Sequence, residues 1–142
     1  MIIEKHIDID VSPAVVMSCY QDVSAWPEWD PDTRAATIDG PFQPGMTGRL
    51  HPTRGFSVPM RFVDVTVSGF TVESPAPFCT MRFEHELVPV AGGTRVTHRV
   101  SFEGPLAKFF GWLVGARVQT GLPVTLAMLK RRLESQDGGR SL

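Results

Sequence analysis

Ile3, Ile7 and Ile9 alternate with Glu4, Asp8 and Asp10, a strand signature that slips near His6. Ser12-Pro13 then marks a helix start: the serine hydroxyl can cap free N–H groups, and proline loses nothing at the first helical position. The helix predicted from Pro13 to about Tyr20 carries Val15, Val16 and Cys19 on one side, and Asp22–Trp26 reads as a second short helical turn ended by Pro27. Proline and glycine punctuation divides the next stretch into extended pieces, Ala35–Asp39, Met46–His51, Val58–Val67, Phe70–Glu73, Phe78–Val88 and Thr94–Glu103. With the first strand these make seven, joined by turns rather than helices, so neighbours are expected to pair antiparallel. Gly104-Pro105 ends the last strand. From there Leu106, Phe109, Phe110, Leu113, Val114, Leu122, Leu126, Leu129 and Leu133 recur at helical spacing, with Lys130, Arg131, Arg132 and Glu134 on the exposed side of the last turns. Such a helix can be buried only across the concave face of the sheet, which predicts an α+β architecture.

The hairpin Phe78–Glu103 is the most legible piece. Cys79, Met81, Phe83, His85 and Leu87 alternate with Thr80, Arg82, Glu84 and Glu86, while Val96, His98, Val100 and Phe102 alternate with Arg95, Thr97, Arg99, Ser101 and Glu103. The apolar sets must face the helix, leaving the charged sets in water. Pairing Pro89 with Thr94 sets Leu87 against Val96, His85 against His98, Phe83 against Val100 and Met81 against Phe102. A slip by one residue would put charges on the core face. The register thus predicts two histidines directly opposed on the inner face, with Cβ atoms about 5 Å apart.

That pair has two readings. Each histidine can be a core residue satisfied by a backbone carbonyl, a water or the other ring. Alternatively His85 and His98 are polar anchors, or a catalytic acid/base pair, inside an apolar pocket. Met81, Phe83, Val96, Val100 and Phe102 would line that pocket from the sheet, and Phe110 and Val114 from the helix. Arg117 would add a carboxylate anchor if it points inward. A metal would want a third ligand, His51 or Asp64, but parity in their strands is ambiguous: Val63, Val65 and Val67 compete with Met60, Phe62 and Asp64 for the inner face, a conflict that a bulge near Pro59 would resolve. No metal and no cofactor is expected. Trp26 and Trp29 read as plugs between the short helices and the sheet, and Glu28 and Asp30 as loop solvation and helix-end charges. Gly111 and Gly115 suit close packing, and Pro123 a kink.

Composition narrows the field. The 142 residues suit one domain, expected over residues 1–135 with 136–142 as a flexible tail. A net charge of -1 supplies no field for nucleic acid, which is not expected as a partner. Cys19 and Cys79 form no CxxC unit and are expected as reduced thiols. No secretory signal or long apolar run is present, so stable membrane insertion is not expected and a cytoplasmic monomer or weak homodimer is.

Ser12-Pro13, Trp26-Pro27-Glu28-Trp29-Asp30-Pro31, the Pro44-Gly45…Gly48 turn, the hairpin Val90–Val96 and the long terminal helix occur in this order. Together they resemble the polyketide cyclase/dehydrase-like branch of the START/Bet v 1 (SRPBCC) superfamily, over about Ile2 to Leu133. The resemblance implies a helix-grip fold: a seven-stranded curved sheet around a long C-terminal helix, with two short helices after the first strand. It also implies a cavity for lipids, polyketides or other hydrophobic molecules, but no universal catalytic motif, and fold alone does not set function. Three functions follow as expectations: a binder of a small hydrophobic ligand, a cyclase/dehydratase using the histidines as acid/base, or an interaction protein with a vestigial cavity. The third requires an exposed apolar patch, which the sequence does not display clearly.

Overall fold

A computed structural model describes residues 2–140, the last four by backbone alone. The final two residues of the expected tail lie outside it. In chain order the elements are β1 (Ile2–Ile9), α1 (Pro13–Gln21), a 3-10 helix (Val23–Glu28), β2 (Thr33–Ile38), β3 (Thr47–Pro52), β4 (Val58–Thr66), β5 (Gly69–Ala76), β6 (Cys79–Val90), β7 (Gly93–Glu103) and α2 (Ala107–Arg140). The strands form one antiparallel sheet in the order β1-β7-β6-β5-β4-β3-β2, with the first strand returning beside the last. This is the expected α+β helix-grip architecture.

Local chemistry explains most boundaries. Ser12 caps α1 by accepting from the Val15 N–H, with Pro13 in the first turn. Pro27 lies inside the 3-10 helix rather than ending it, since so tight and short a turn demands few interior donors. Strands β5 and β6 run further than the punctuation suggested, through Pro75 and Pro89. Each of these prolines has a paired strand on one side only: Pro75 lies beyond the last β4 partner, Glu73, and Pro89 beyond the last β5 partner, Glu86. Their missing N–H groups therefore break no ladder. The bulge in β4 falls between Phe62 and Asp64, not near Pro59. It turns Met60 and Phe62 into the core and leaves Asp64 exposed.

Helix α2 packs on β1, β7 and β6, and two apolar clusters lie beneath it. One gathers Val16, Tyr20, Trp26, Trp29, Phe62, Phe70, Leu126, Leu129 and Leu133; the other joins Ile3, Cys79, Val100 and Phe102 to Phe110, Val114, Val118 and Leu122. Phe83 touches both. The two halves of α2 grip differently. Leu126, Leu129 and Leu133 are sealed, whereas Phe110, Val114, Val118 and Leu122 are only half-buried.

Not every apolar residue of α2 faces the sheet. Phe109 is 48 % exposed and Leu113 55 %, contrary to the face the spacing suggested, and Trp112 is exposed too. The sealed leucines fix the rotation of the helix, and that rotation turns Gly111 and Gly115 inward and Phe109, Trp112 and Leu113 outward. Leu129→Ala is therefore expected to cost about 2–5 kcal/mol, and Leu113→Ala less than about 0.5 kcal/mol, in urea denaturation.

Candidate functional site

Strands β6 and β7 pair in the predicted register, with Leu87 opposite Val96, His85 opposite His98, Phe83 opposite Val100 and Met81 opposite Phe102. The two imidazole rings lie edge to face with centroids 4.7 Å apart. The charged residues of both strands occupy the outer face, where Arg82 pairs with Glu73 and Glu84, Arg99 with Glu4, Glu84 and Glu86, and Arg95 with Asp8.

Tyr20 completes the group from α1. Its hydroxyl donates to Nε2 of His98 over 2.6 Å, and its ring contacts both histidines. His85 is held differently: its ring lies flat on Phe70, 4.0 Å between centroids, and its Nδ1–H donates to the Phe70 carbonyl at 3.2 Å. Phe70 in turn contacts Tyr20, Trp26, Phe42 and Phe62. The turn into β5 passes so close to β6 that a Cβ on Gly69 (φ +151°) would fall 2.0 Å from the His85 carbonyl oxygen. Only glycine fits there.

These bonds fix the proton positions. Burial pushes the Tyr20 hydroxyl well above its ordinary value, so it stays protonated and donates, which leaves the His98 proton on Nδ1. Desolvation, reinforced by the neighbouring His85, holds His98 well below the usual histidine range. Desolvation likewise lowers His85, to about 4, against the opposing pull of its bond to Phe70. With its proton on Nδ1, His85 presents a bare Nε2 lone pair. That atom has no hydrogen-bond partner among the described residues, and the residue keeps part of its surface accessible. His85 is thus half-buried, with Nε2 left as an unused acceptor.

The other expected site residues divide clearly. Met81, Phe83, Phe110 and Val114 are half-buried along the seam between β6 and the first half of α2, with Val118 and Leu122 beside them. Val96, Val100 and Phe102 are packed solid beneath. Arg117 is exposed on the outer side of α2, outside the seam, because the helix rotation that buries Val114 and Val118 turns it away. His51 bonds the Ser57 hydroxyl and Asp64 is exposed, so neither joins the histidines, and no three metal-ligating side chains converge among the described residues. Both cysteines are free thiols. Two hollows lie outside the seam: a cleft of about 270 Å³ among Cys19, Asp22, Trp29 and Arg132, and a groove along Met17, Gln21, Leu87 and Pro89.

Asp30 departs from the expectation of loop solvation. It accepts from Thr33 Oγ1 at 2.8 Å, from the Asp32 N–H at 3.0 Å and from Thr125 Oγ1 of α2 at 3.2 Å. Desolvation raises its pKa despite those bonds. It ties the start of β2 to the long helix. Tyr20 and Phe70 were also missed. Tyr20 carried a usable signal, four residues after Val16 and three after Met17, and these three form the buried face of α1 rather than Val15, Val16 and Cys19.

Because folding lowers the pKa of His85 from 6.5 to about 4, the folded chain holds fewer protons than the unfolded chain between those values. Stability is complete above pH 6.5 and is lost as pH falls toward 4, by about 3 kcal/mol from His85. Urea denaturation across that window is expected to show this loss, and a smaller one in His85→Gln.

Comparison with known proteins agrees with this architecture. No curated protein matches the chain in sequence. Among solved structures, the ZhuI aromatase/cyclase from Streptomyces sp. R1128 superposes with a TM-score of 0.77 at 16% identity, covering 94% of this chain and 93% of that one. Protein NE0264 from Nitrosomonas europaea gives 0.76 at 18% identity over 96% of both chains. Ara h 8.0201 gives 0.69 at 15% identity, over 95% and 98%. At these identities the likeness is one of fold. The family model described as polyketide cyclase / dehydrase and lipid transport matches residues 2–134, and the chain belongs to that family, within the START/Bet v 1-like (SRPBCC) superfamily.

Proposed function

We propose that the chain binds a small hydrophobic molecule of lipid, polyketide or aromatic type in the seam between β6 and the first half of α2, with His85 as its polar anchor. The observation that carries this reading is the unpartnered Nε2 of half-buried His85, two residues along β6 from Phe83, which with Met81, Phe110 and Val114 forms a half-buried apolar seam. Pockets for small molecules have this composition: apolar walls and a few directed polar groups. A neutral histidine with its proton on the far nitrogen can only accept. The ligand must therefore bring a donor, such as a phenol, an enol or an alcohol, and a carboxylate is disfavoured. His98 and Tyr20 hold the neighbouring space without spare capacity at Nε2. Two free thiols fit action in the reducing cytoplasm, by a single domain over residues 1–135.

The enzyme reading rests on the same nitrogen, which would take a proton from a carbonyl substrate as a cyclase or dehydratase requires. A base of pKa about 4 is weak at neutral pH, which favours binding over proton abstraction. Loss of turnover in His85→Gln with the fold retained would reverse that preference.

The test compares a naphthol with its methyl ether, a probe one methyl group larger that lacks the donor. The naphthol is expected to bind up to about tenfold tighter, and His85→Phe to abolish the difference. If neither probe binds, or if the difference survives in His85→Phe, the proposal fails.

A further inference from the structure

The outward face of the first half of α2 is apolar, and no element among the described residues covers it. Trp112 is 76% exposed, Leu113 55%, Phe109 48% and Leu106 38%, and Phe78, 76% exposed, adjoins them because the Leu106 N–H bonds its carbonyl. Isolated exposed apolar residues are ordinary, but a contiguous group of this size marks a contact surface.

Charge says what kind of surface it meets. All fifteen acidic residues lie outside the span from Gly104 to Leu133, which holds Lys108, Arg117, Lys130, Arg131 and Arg132. Lys130 and Arg132 are engaged with Glu134 and Glu28, whereas Lys108 and Arg117 are exposed and in no ion pair among the described residues. They sit beside the aromatic group. A chain of net charge -1 therefore keeps its acids elsewhere and presents here an aromatic face edged with cations. A second copy of the chain would bring like cations together across a two-fold axis, where Glu103 at the edge of the face is the one nearby exposed acid among the described residues. A phospholipid surface answers both features: headgroup phosphates meet the cations, and the interface accepts Trp and Phe side chains. No helix among the described residues is long and apolar enough to cross a membrane, so α2 would lie along the surface.

We propose that Phe78, Leu106, Phe109, Trp112 and Leu113, with Lys108 and Arg117, form a docking surface for anionic phospholipid bilayers. Docking would bring a membrane against α2, the helix that forms one wall of the half-buried seam.

Trp26 and Trp29 are 7% and 4% exposed, so the solvent-exposed tryptophan emission belongs to Trp112. The full-length protein is titrated with phosphatidylcholine vesicles and with vesicles containing added phosphatidylglycerol. Binding to the anionic vesicles, read as a blue shift and by co-sedimentation, is expected to be at least about tenfold tighter and to weaken with salt. The double variant Lys108→Glu/Arg117→Glu is expected to lose this preference, and Trp112→Ala to weaken co-sedimentation by about tenfold, both with unchanged circular dichroism. Failure to bind either vesicle overturns the proposal. So do equal binding to both, full binding by the charge-reversed variant, and a lipid-free dimer in sedimentation equilibrium in which Trp112 is already shielded.

Discussion

The hydrogen bond from Tyr20 to His98 spans 78 residues of chain and joins the first helix to the last strand inside the core. A buried phenol and a buried imidazole would each be costly alone; paired, each satisfies the other. The bond seats α1 against the sheet, and Trp26 follows because its indole N–H donates to the Tyr20 carbonyl. It also fixes which nitrogen of His98 carries the proton. The neutral state of both histidines follows from their desolvation in the fold, reinforced at His98 by the neighbouring His85.

Around that bond the protein is built with unequal tightness. Phe70 collects aromatic neighbours on one side, and Leu126, Leu129 and Leu133 are sealed against β1 and β7. Asp30 fastens the same half of α2 through Thr125. Among the described residues the first half of α2 has no such side-chain tie to the sheet, and the side chains on both walls of its seam keep accessible surface. A sealed half is compatible with a half-buried seam in the other because each half has its own apolar cluster. A ligand could then enter without dismantling the core, leaving the tight half to carry stability.

The same helix explains the two faces of the molecule. Its inner side contributes Phe110 and Val114 to the seam, while its outer side carries Phe109, Trp112 and Leu113 into solvent. A helix apolar on both sides is ordinary when both sides are covered. Among the described residues only the inner side is covered, and the cations along the outer side distinguish that face from the acidic remainder.

Much of this was legible in the residues. Strict alternation in β6 and β7 fixed the faces and the register, because a one-residue slip would bury charge; His85 opposite His98 followed from that alone. The order of turns, caps and the terminal helix specified the architecture for the same reason: these signals are local and the chemistry of a few residues decides them. What the tertiary structure decided were the quantities that depend on distant chain. The rotation of α2 was ambiguous because its apolar residues cover more than one face, and only packing against β1 and β7 turned Arg117 and Phe109 outward. The place of the β4 bulge was open because valines and aromatics compete for the inner face there. The partners of Tyr20, His85 and Asp30 lie from 2 to 95 residues away, and the distant ones leave no periodic trace in sequence. Whether a histidine anchors a ligand depends on which of its nitrogens is left free, and that is settled only when the strands and helices close around it.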